Sequence, residues 1–322
     1  MGFAERSCSR RVWLGTATAV GLAGVEKPTS AAEPSQPPTI IDTHTHFYDP
    51  TRPEGVPWPG KTDAVLYRPT LPKHFREVAA PLGVTGTIVV EASSWVEDNQ
   101  WLLDLARDER AIVGIVGHLK PGEPEFAGHL ARFGKNPLLR GLRVNQAGLA
   151  KGLEAAAYVD DLRRLADADL TLDVNGGPDL LPVVSRTAEK LPLLRIVINH
   201  CANLRIDGQP PPAEWLAGMR GAAGHERVWC KLSALVEGAG RGGMKAPAEL
   251  DFYRPVLDAM WSVWGSDRLL FGSNWPVSSR GASYRQVFDL AADYVQAQGD
   301  DAAGKFFVGN SRAAYRWEPR PA

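Results

Sequence analysis

The sequence predicts an α/β fold, a single (β/α)8 barrel, and three observations support this prediction. From residue 39 onward, short apolar runs alternate with stretches of helical spacing, which is the pattern of repeated βα units around a parallel sheet. Eight such runs are present, and each ends in a polar residue. The chain has 322 residues, of which 44% are hydrophobic, so it is long enough to fill one barrel core.

Stretches of helical spacing lie between the predicted strands, at residues 99–107, 158–168, 180–190 and 249–264. A last helix is expected to begin near Asn310 and to pack Tyr315 against the barrel. The eight strands are, in chain order, TIIDTHTH, TGTIVVEAS, AIVGIVGH, LRGLRVN, LTLDVNGG, LRIVINH, RVWCKLSA and RLLFGSNWP.

The first strand carries Asp42, His44 and His46 at alternate positions. Alternate side chains of an extended strand share a face, so we expect all three to point the same way. A His-x-His pair at a strand end can grip a metal ion or polarise a carbonyl oxygen. It can equally bond to backbone and cap the strand, so the pair alone does not settle its role.

The other strands add polar groups at the same end. In a barrel of this kind, the chemistry sits on the C-terminal ends of the strands. We therefore expect these side chains to converge on one mouth. They are His44, His46, Glu91, His118, Arg143, Asn145, Asp173, Asn175, His200, Lys231, Ser233 and Asn274.

Three irregular segments follow strand ends on this face, at residues 49–72, 203–212 and 237–247. The first is long and rich in proline, and long irregular segments inside compact domains are usually functional. We interpret it as part of a lid over the barrel mouth, with a passive wrap around the barrel edge as the alternative.

The N-terminus resembles a twin-arginine export signal, because Ser9-Arg10-Arg11 is followed by an aromatic residue and Leu14. An exported, periplasmic protein is therefore expected. The apolar run is too short for a stable membrane span, although an uncleaved anchor or a disordered basic tail are alternatives. The chain divides into a signal at residues 1–32, a linker at 33–38 and a barrel at 39–318.

The net charge of −1 gives no indication of nucleic acid as a partner. There is no Gly-rich phosphate loop, no structural-zinc spacing and no Gly-x-Ser-x-Gly elbow. Cys201 and Cys230 are expected to be free, with a disulfide between them as the alternative. Nothing in the sequence specifies an oligomeric state.

The succession DTHTHFYDP, RGLRVNQ, INHCANL, RLLFGSNWPV resembles the amidohydrolase-related TIM-barrel family, within the amidohydrolase superfamily. The likeness runs from about Ile40 to Trp317, and the branch of sugar-lactone and pyrone-dicarboxylate lactonases is the most similar. The resemblance implies catalytic strand-end positions at His44, His46, His200 and Asn274. It also implies a substrate-binding role for Arg143.

The sequence departs from this family at Asn274, where many relatives have the aspartate of a GSDWP motif that activates water. An asparagine cannot take a proton near neutral pH. The base is then expected to be Glu91, Asp173 or a histidine. Burial in a partly dry mouth can raise the pKa of a carboxylate toward neutrality.

The cofactor prediction has two forms. His44, His46 and His200 could bind one divalent metal such as zinc, which would polarise the carbonyl and activate water. Alternatively, no metal is needed and the imidazoles act directly as hydrogen-bond donors. A two-metal centre is not expected, because relatives with two metals use a lysine on the fourth strand, where this chain has Arg143 and Asn145.

The predicted substrate is a small carbonyl compound. Arg143 and Lys231 could clamp a carboxylate or polyol, or could instead pair internally with Glu91 and Asp173. The other candidates for substrate contact, each with plain packing as the alternative, are His118, Trp58, Trp95 and Trp275.

We therefore predict a hydrolase that opens a lactone or similar cyclic ester, in particular one derived from a sugar. Two alternatives come from other classes. One is a metal-dependent decarboxylase of the same superfamily, and the other is a ligand-binding barrel that has lost its water-activating carboxylate.

Overall fold

The computed structural model of the protein describes residues 40–240 and 245–320. The predicted signal at residues 1–32 and linker at 33–38 lie outside this part. Within the described residues, no helix is long and apolar enough to cross a membrane.

Eight strands form one parallel sheet in the order of the sequence, and each predicted run overlaps one strand. The two ends of the sheet meet, since Thr45 forms a parallel bridge with Trp275, and the His46 amide donates to the Trp275 carbonyl at 2.9 Å. The predicted (β/α)8 barrel is therefore confirmed. The strands are β1 Ile40–Thr45, β2 Val84–Val90, β3 Ile112–Gly117, β4 Leu139–Asn145, β5 Thr171–Asn175, β6 Arg195–Ile198, β7 Val228–Leu232 and β8 Leu269–Phe271.

Helices surround the barrel and bury their apolar faces against the outer side of the sheet. Short turns lie at His200–Asn203 and Val277–Arg280. The helices are α1 Pro72–Ala79, α2 Asp98–Arg107, α3 Phe126–Phe133, α4 Gln146–Gly152, α5 Ala156–Asp167, α6 Leu180–Lys190, α7 Ala213–Ala223, α8 Leu235–Ala239, α9 Leu250–Trp264, α10 Tyr284–Gln296, α11 Asp300–Gly304 and α12 Asn310–Tyr315.

The last helix closes the barrel at the end opposite the strand C-termini. The Ala314 carbonyl accepts hydrogen bonds from Thr171 and Arg195, which begin β5 and β6. Tyr315 is completely buried among the residues that fill the barrel interior. The predicted start of this helix at Asn310 and the packing of Tyr315 are both confirmed.

Candidate active site

Three buried histidines meet at the C-terminal end of the barrel. His44 and His46 lie at the end of β1, and His200 begins the turn that follows β6. The ring centroids of His44 and His46 are 5.0 Å apart, and those of His44 and His200 are 4.2 Å apart. The structure thus gathers the three histidines that the sequence singled out.

Asp42 does not share the face of the two histidines, so that prediction is wrong. Its carboxylate accepts hydrogen bonds from Tyr284 of α10 and from the backbone amides of His44 and Ser273. The register of β1 against β2 shifts between Asp42 and Thr45, which interrupts the simple alternation of side chains. Burial raises the pKa of Asp42 to about 6, and its hydrogen bonds oppose that rise.

The backbone is strained where two of the site residues enter the mouth. His200 has φ 58° and Asn274 has φ 56°, both in the left-handed region. The left-handed conformation continues through Asn203 in the turn after His200. Such conformations cost free energy and persist mainly at functional sites.

A cavity of about 540 Å³ opens at this end of the barrel. His46, His200 and Asn274 line it, while His44 packs against the ring of His200 behind them. Trp58 of the segment 49–72 also lines the cavity, with its ring centroid 5.9 Å from that of His46. The long segment after β1 therefore forms part of the cavity wall.

The hydrogen bonds of His46 fix its tautomer. Its Nδ1 lies 2.9 Å from the Val90 carbonyl oxygen, which can only accept, so Nδ1 carries the proton. Burial, and then the positive charge of Arg143, lowers the pKa of His46 to about 3. His46 is therefore neutral near pH 7, and its Nε2 is a bare acceptor.

The opposite tautomer follows for His44. Lys231 donates to His44 Nδ1 across 3.2 Å, so the neutral ring carries its proton on Nε2. Burial, and then the charge of Lys231, holds the pKa of His44 well below its usual value. No acceptor for this Nε2–H is found among the described residues. His44 therefore holds a buried N–H donor without a partner among the described residues, beside the ring of His200.

Lys231 belongs to a buried network rather than to the cavity wall. Its ammonium lies 2.7 Å from Asp173 Oδ2, and both side chains are 0% exposed. Asp173 also accepts from Asn199 and from Tyr315. The predicted roles of Asp173 as the base and of Lys231 as a substrate clamp need correction. Both groups bond to each other and to other buried side chains below the mouth.

Glu91 and Arg143 form a second pair, which does line the cavity. Arg143 donates from Nε to Glu91 Oε1 at 2.8 Å and from Nη2 to the Glu91 carbonyl at 2.9 Å. The Ser93 amide donates to the other oxygen of Glu91 at 2.8 Å. Both carboxylate oxygens of Glu91 are engaged, whereas Arg143 keeps free N–H groups toward the cavity among the described residues.

The remaining predicted contacts are spread around the mouth. His118 lies in a neighbouring cavity of about 330 Å³, on the other side of the Glu91–Arg143 pair. Trp95 is 40% exposed and Trp275 packs into the outer core, so neither lines the central cavity. Trp275 therefore follows the packing alternative, whereas substrate contact by Trp95 stays a prediction.

One carboxyl group in the cavity wall was missed by the sequence analysis. Glu237 lies in α8, and its Oε1 accepts a hydrogen bond from Asn274 Nδ2 at 2.7 Å. Oε2 is buried and receives no hydrogen bond from the described residues. Burial raises the pKa of Glu237 to about 7, and its own backbone amide, the Asn274 hydrogen bond and the charge of Arg280 oppose that rise. The only sequence signal was a glutamate in the otherwise small and apolar LVEGAG after β7.

Asn274 links Glu237 to His46. Its Oδ1 lies 3.2 Å from His46 Nε2, so two acceptors face each other in this orientation of the amide. Rotating the amide places Nδ2 against His46 and Oδ1 against Glu237. That arrangement is complete when Glu237 is protonated. The observed orientation, with Nδ2 donating to Glu237, suits an ionised Glu237, and the rotated amide would suit a protonated one.

A metal site would need three deprotonated ring nitrogens from His44, His46 and His200. His46 Nε2 meets this condition, but His44 Nε2 carries a proton because Lys231 occupies Nδ1. Nor is any group of three histidine, cysteine or carboxylate side chains placed to hold a metal within residues 40–240 and 245–320. The three histidines as arranged do not fit the predicted zinc site.

Comparison with known proteins identifies the family. The Amidohydrolase family model matches residues 41–317. L-fucono-1,5-lactonase of Burkholderia ambifaria is 31% identical over 286 residues, covering 86% of this chain and 95% of that protein.

Two crystal forms of an amidohydrolase from Burkholderia multivorans share the fold. The form with bound HEPES has a TM-score of 0.78 at 28% identity, and covers 87% of this chain and 100% of that one. The form with bound zinc has a TM-score of 0.77 at 27% identity, with the same coverage. This chain is therefore a hydrolase that belongs to the amidohydrolase family.

Proposed function

We propose that the protein opens a sugar-derived lactone by attack of water at the barrel mouth. The observation that carries this proposal is that the buried, neutral His46 and His200 line one cavity together with Arg143 and the ionisable carboxyl of Glu237. The similarity to L-fucono-1,5-lactonase over 86% of the chain supports a lactone of a six-carbon sugar acid as the substrate class.

Polarisation of the lactone carbonyl requires donors that do not lose their protons. His200 lies in the cavity wall, and His44, whose Nε2–H has no acceptor among the described residues, packs against its ring. Burial, and then the charges of Lys231 and Arg143, holds the pKa of His200 well below its usual value. If the Ser233 hydroxyl donates to His200 Nδ1, neutral His200 carries its proton on Nε2 and can donate it to the developing oxyanion.

Arg143 and Trp58, which line the cavity together with His46 and His200, are the proposed substrate-binding residues. Arg143 can donate to the hydroxyl or carbonyl oxygens of a sugar lactone without breaking its pair with Glu91. Trp58 supplies an apolar face near His46 against which a sugar ring can lie. A lactone ring that carries several hydroxyl groups can form more hydrogen bonds in this cavity than an unsubstituted lactone.

Carbonyl polarisation and substrate binding, as proposed, use only side chains of the protein. The alternative in which His44, His46 and His200 hold one zinc ion requires His44 to give up its bond with Lys231. We therefore propose a hydrolysis that does not depend on a bound metal.

The decarboxylase and ligand-binding alternatives find less support. The relatives with about 30% identity are lactonases. A carboxyl group also remains beside Asn274 in the form of Glu237, so the asparagine alone does not indicate lost activity.

A pH-indicator assay tests the function, because opening a lactone releases acid. L-fucono-1,5-lactone and other six-carbon sugar lactones are expected to be hydrolysed. An unsubstituted six-membered lactone is the matched control and is expected to react at least about 10-fold more slowly, through loss of one or more hydrogen bonds. Absence of acid release from every sugar lactone would overturn the proposal.

We also propose export to the periplasm through the signal at residues 1–32. The support is the Ser9-Arg10-Arg11 motif. Changing Arg10 and Arg11 together to lysine is expected to leave the protein in the cytoplasm, as measured by cell fractionation. Unchanged periplasmic protein would contradict this assignment.

A further inference from the structure

Four carboxyl groups lie at or near the barrel mouth, and they differ in how many of their oxygens are engaged. Asp42, Glu91 and Asp173 each use both oxygens in hydrogen bonds or an ion pair. Glu237 uses only Oε1, and its buried Oε2 has no donor among the described residues. Glu237 is therefore the mouth carboxyl with the fewest hydrogen bonds from the described residues, and it lines the central cavity.

The local backbone holds Glu237 in the cavity wall. Ala234, which precedes α8, has φ 54°, and this left-handed residue turns the chain from β7 into the helix. Gly238 lets the helix pack closely against the segment after His200, because a Cβ at this position would lie 2.7 Å from the Leu204 carbonyl oxygen. The Ile206 amide donates to the Gly238 carbonyl at 3.1 Å. The helix is thus pinned between β7 and the segment after His200.

Among the described residues, no charged or titratable neighbour bonds directly to Glu237. Arg280 acts on it only through its charge, because the guanidinium of Arg280 bonds to Asp63. The hydroxyl of Tyr253 donates to the Pro247 carbonyl at 2.8 Å. Asn274 remains as the direct partner, at Oε1.

We propose that Glu237 is the general base that activates the attacking water, in place of the carboxylate that position 274 does not supply. This inference rests on the proposed function. A proton passes from water to Glu237 while the water oxygen bonds to the lactone carbonyl carbon. When the ring C–O bond breaks, the proton passes from Glu237 to the departing alkoxide oxygen. The product is the open-chain hydroxy acid, which then ionises.

The pairing of an amide with a carboxyl explains why the two positions suit each other. With aspartate at position 274, two carboxyls would lie in hydrogen-bond contact and one of them would hold a proton at neutral pH. Asn274 avoids this repulsion, and its amide can donate to the ionised form of Glu237 or accept from the protonated form. A pKa of about 7 for Glu237 suits a base that must take and return a proton near neutrality.

The test compares Glu237→Gln with the double variant Glu237→Gln, Asn274→Asp, which exchanges the amide and the carboxyl. Glu237→Gln is expected to lower kcat by about 10²-fold to 10⁴-fold with little change in KM. The double variant is expected to recover at least about 10-fold of that loss, because a carboxylate returns to the same contact. Glu226→Gln, an exposed glutamate before β7, makes the same chemical change far from the cavity and serves as the control.

The pH profile of wild-type kcat gives a second readout. The rate is expected to fall below about pH 7, as Glu237 becomes protonated, and this limb is expected to vanish in Glu237→Gln. In the double variant, the fall of kcat at low pH is expected to return, with its midpoint at a different pH from that of the wild type. A structural role alone would not move these midpoints. If Glu237→Gln fails to fold, the wild-type profile and the double variant decide.

The outcomes separate the two proposals. If the wild type opens sugar lactones and Glu237→Gln keeps its kcat within about 3-fold, the role of Glu237 is overturned and the lactonase function stands. A loss confined to KM, or no recovery in a folded double variant, also overturns the role of Glu237. If the wild type opens no lactone, the proposed function fails first and the role of Glu237 falls with it.

Discussion

Two carboxyl groups of the barrel, Asp173 and Glu237, differ in how many hydrogen bonds they accept. Asp173 lies in the barrel interior and receives hydrogen bonds from Lys231, Asn199 and Tyr315. Glu237 lies in the cavity wall, and among the described residues only the Asn274 side chain bonds to it, which leaves Oε2 without a donor. Both residues carry ionisable groups near a strand end, but only Glu237 keeps an oxygen that accepts no hydrogen bond from the described residues.

The difference indicates how burial is used for two purposes. A buried carboxylate that is fully paired holds its neighbours in place, and here Lys231 in turn sets the tautomer of His44. A buried carboxyl with a free oxygen is instead costly to ionise, so its pKa rises and it becomes able to exchange protons near neutrality. The interior network therefore orients the site, and the mouth supplies its reactive group.

Breaking the interior pair is expected to have the largest effect on stability. In Lys231→Met, Asp173 keeps its place without a counter-charge. Loss of one partner from a buried ion pair costs about 3–5 kcal/mol in the free energy of unfolding. Urea unfolding monitored by tryptophan fluorescence measures it.

The matched control is the double variant Lys231→Met, Asp173→Asn, which removes both charges. It is expected to be clearly more stable than Lys231→Met, because no uncompensated charge remains. A loss below about 1 kcal/mol in Lys231→Met would contradict the view that the interior pair is saturated and tightly coupled.

The mouth carboxyl is expected to behave in the opposite way. Because the folded state raises the pKa of Glu237 from 4.5 to about 7, it binds more protons than the unfolded state between these values. Stability therefore falls as pH rises through this window, by up to about 3 kcal/mol. Glu237→Gln removes that loss, so its stability relative to the wild type is expected to increase between pH 5 and pH 8.

Urea unfolding of both proteins across this pH range measures the difference. The raised pKa of Asp42 contributes equally to both curves and cancels in the comparison. Parallel curves for wild type and Glu237→Gln would mean that Glu237 does not titrate differently in the folded state.

The sequence predicted what depends on periodic patterns. Each apolar run became a strand of the barrel, and the polar residues at the run ends brought His46, Arg143, His200 and Asn274 to one cavity. This worked because all parallel strands of a barrel end at the same face. The helix over residues 180–190 was also located at its observed bounds, Leu180–Lys190.

The sequence did not predict what depends on local backbone geometry. Asp42 left the predicted face because the register of β1 shifts, and no residue type signals that shift. Glu237 was overlooked because it lies beyond the strand end, where the left-handed Ala234 turns the chain back into the cavity wall. A positive φ at a residue other than glycine is not visible in the sequence.

The Glu91–Arg143 pair lies between the two extremes, since it is internally bonded and yet borders the cavity. Arg143→Lys keeps the charge but loses the forked donor geometry. We expect KM for sugar lactones to rise by about 10-fold, from loss of about one charge-assisted hydrogen bond, while kcat changes less. Steady-state kinetics with a sugar lactone and an unsubstituted lactone measure it. An equal rise of KM for both substrates would show that Arg143 does not bind the sugar hydroxyl groups.

Removal of divalent metal ions is expected to have the smallest effect. The interior network fixes the proton of His44 on Nε2 through Lys231, which denies a zinc ion its third histidine. Wild-type protein dialysed against a chelator is therefore expected to keep its rate of lactone hydrolysis, with residual metal measured by atomic absorption. A loss of activity that added zinc restores would show that His44 exchanges its tautomer, and that Lys231 releases it when the metal binds.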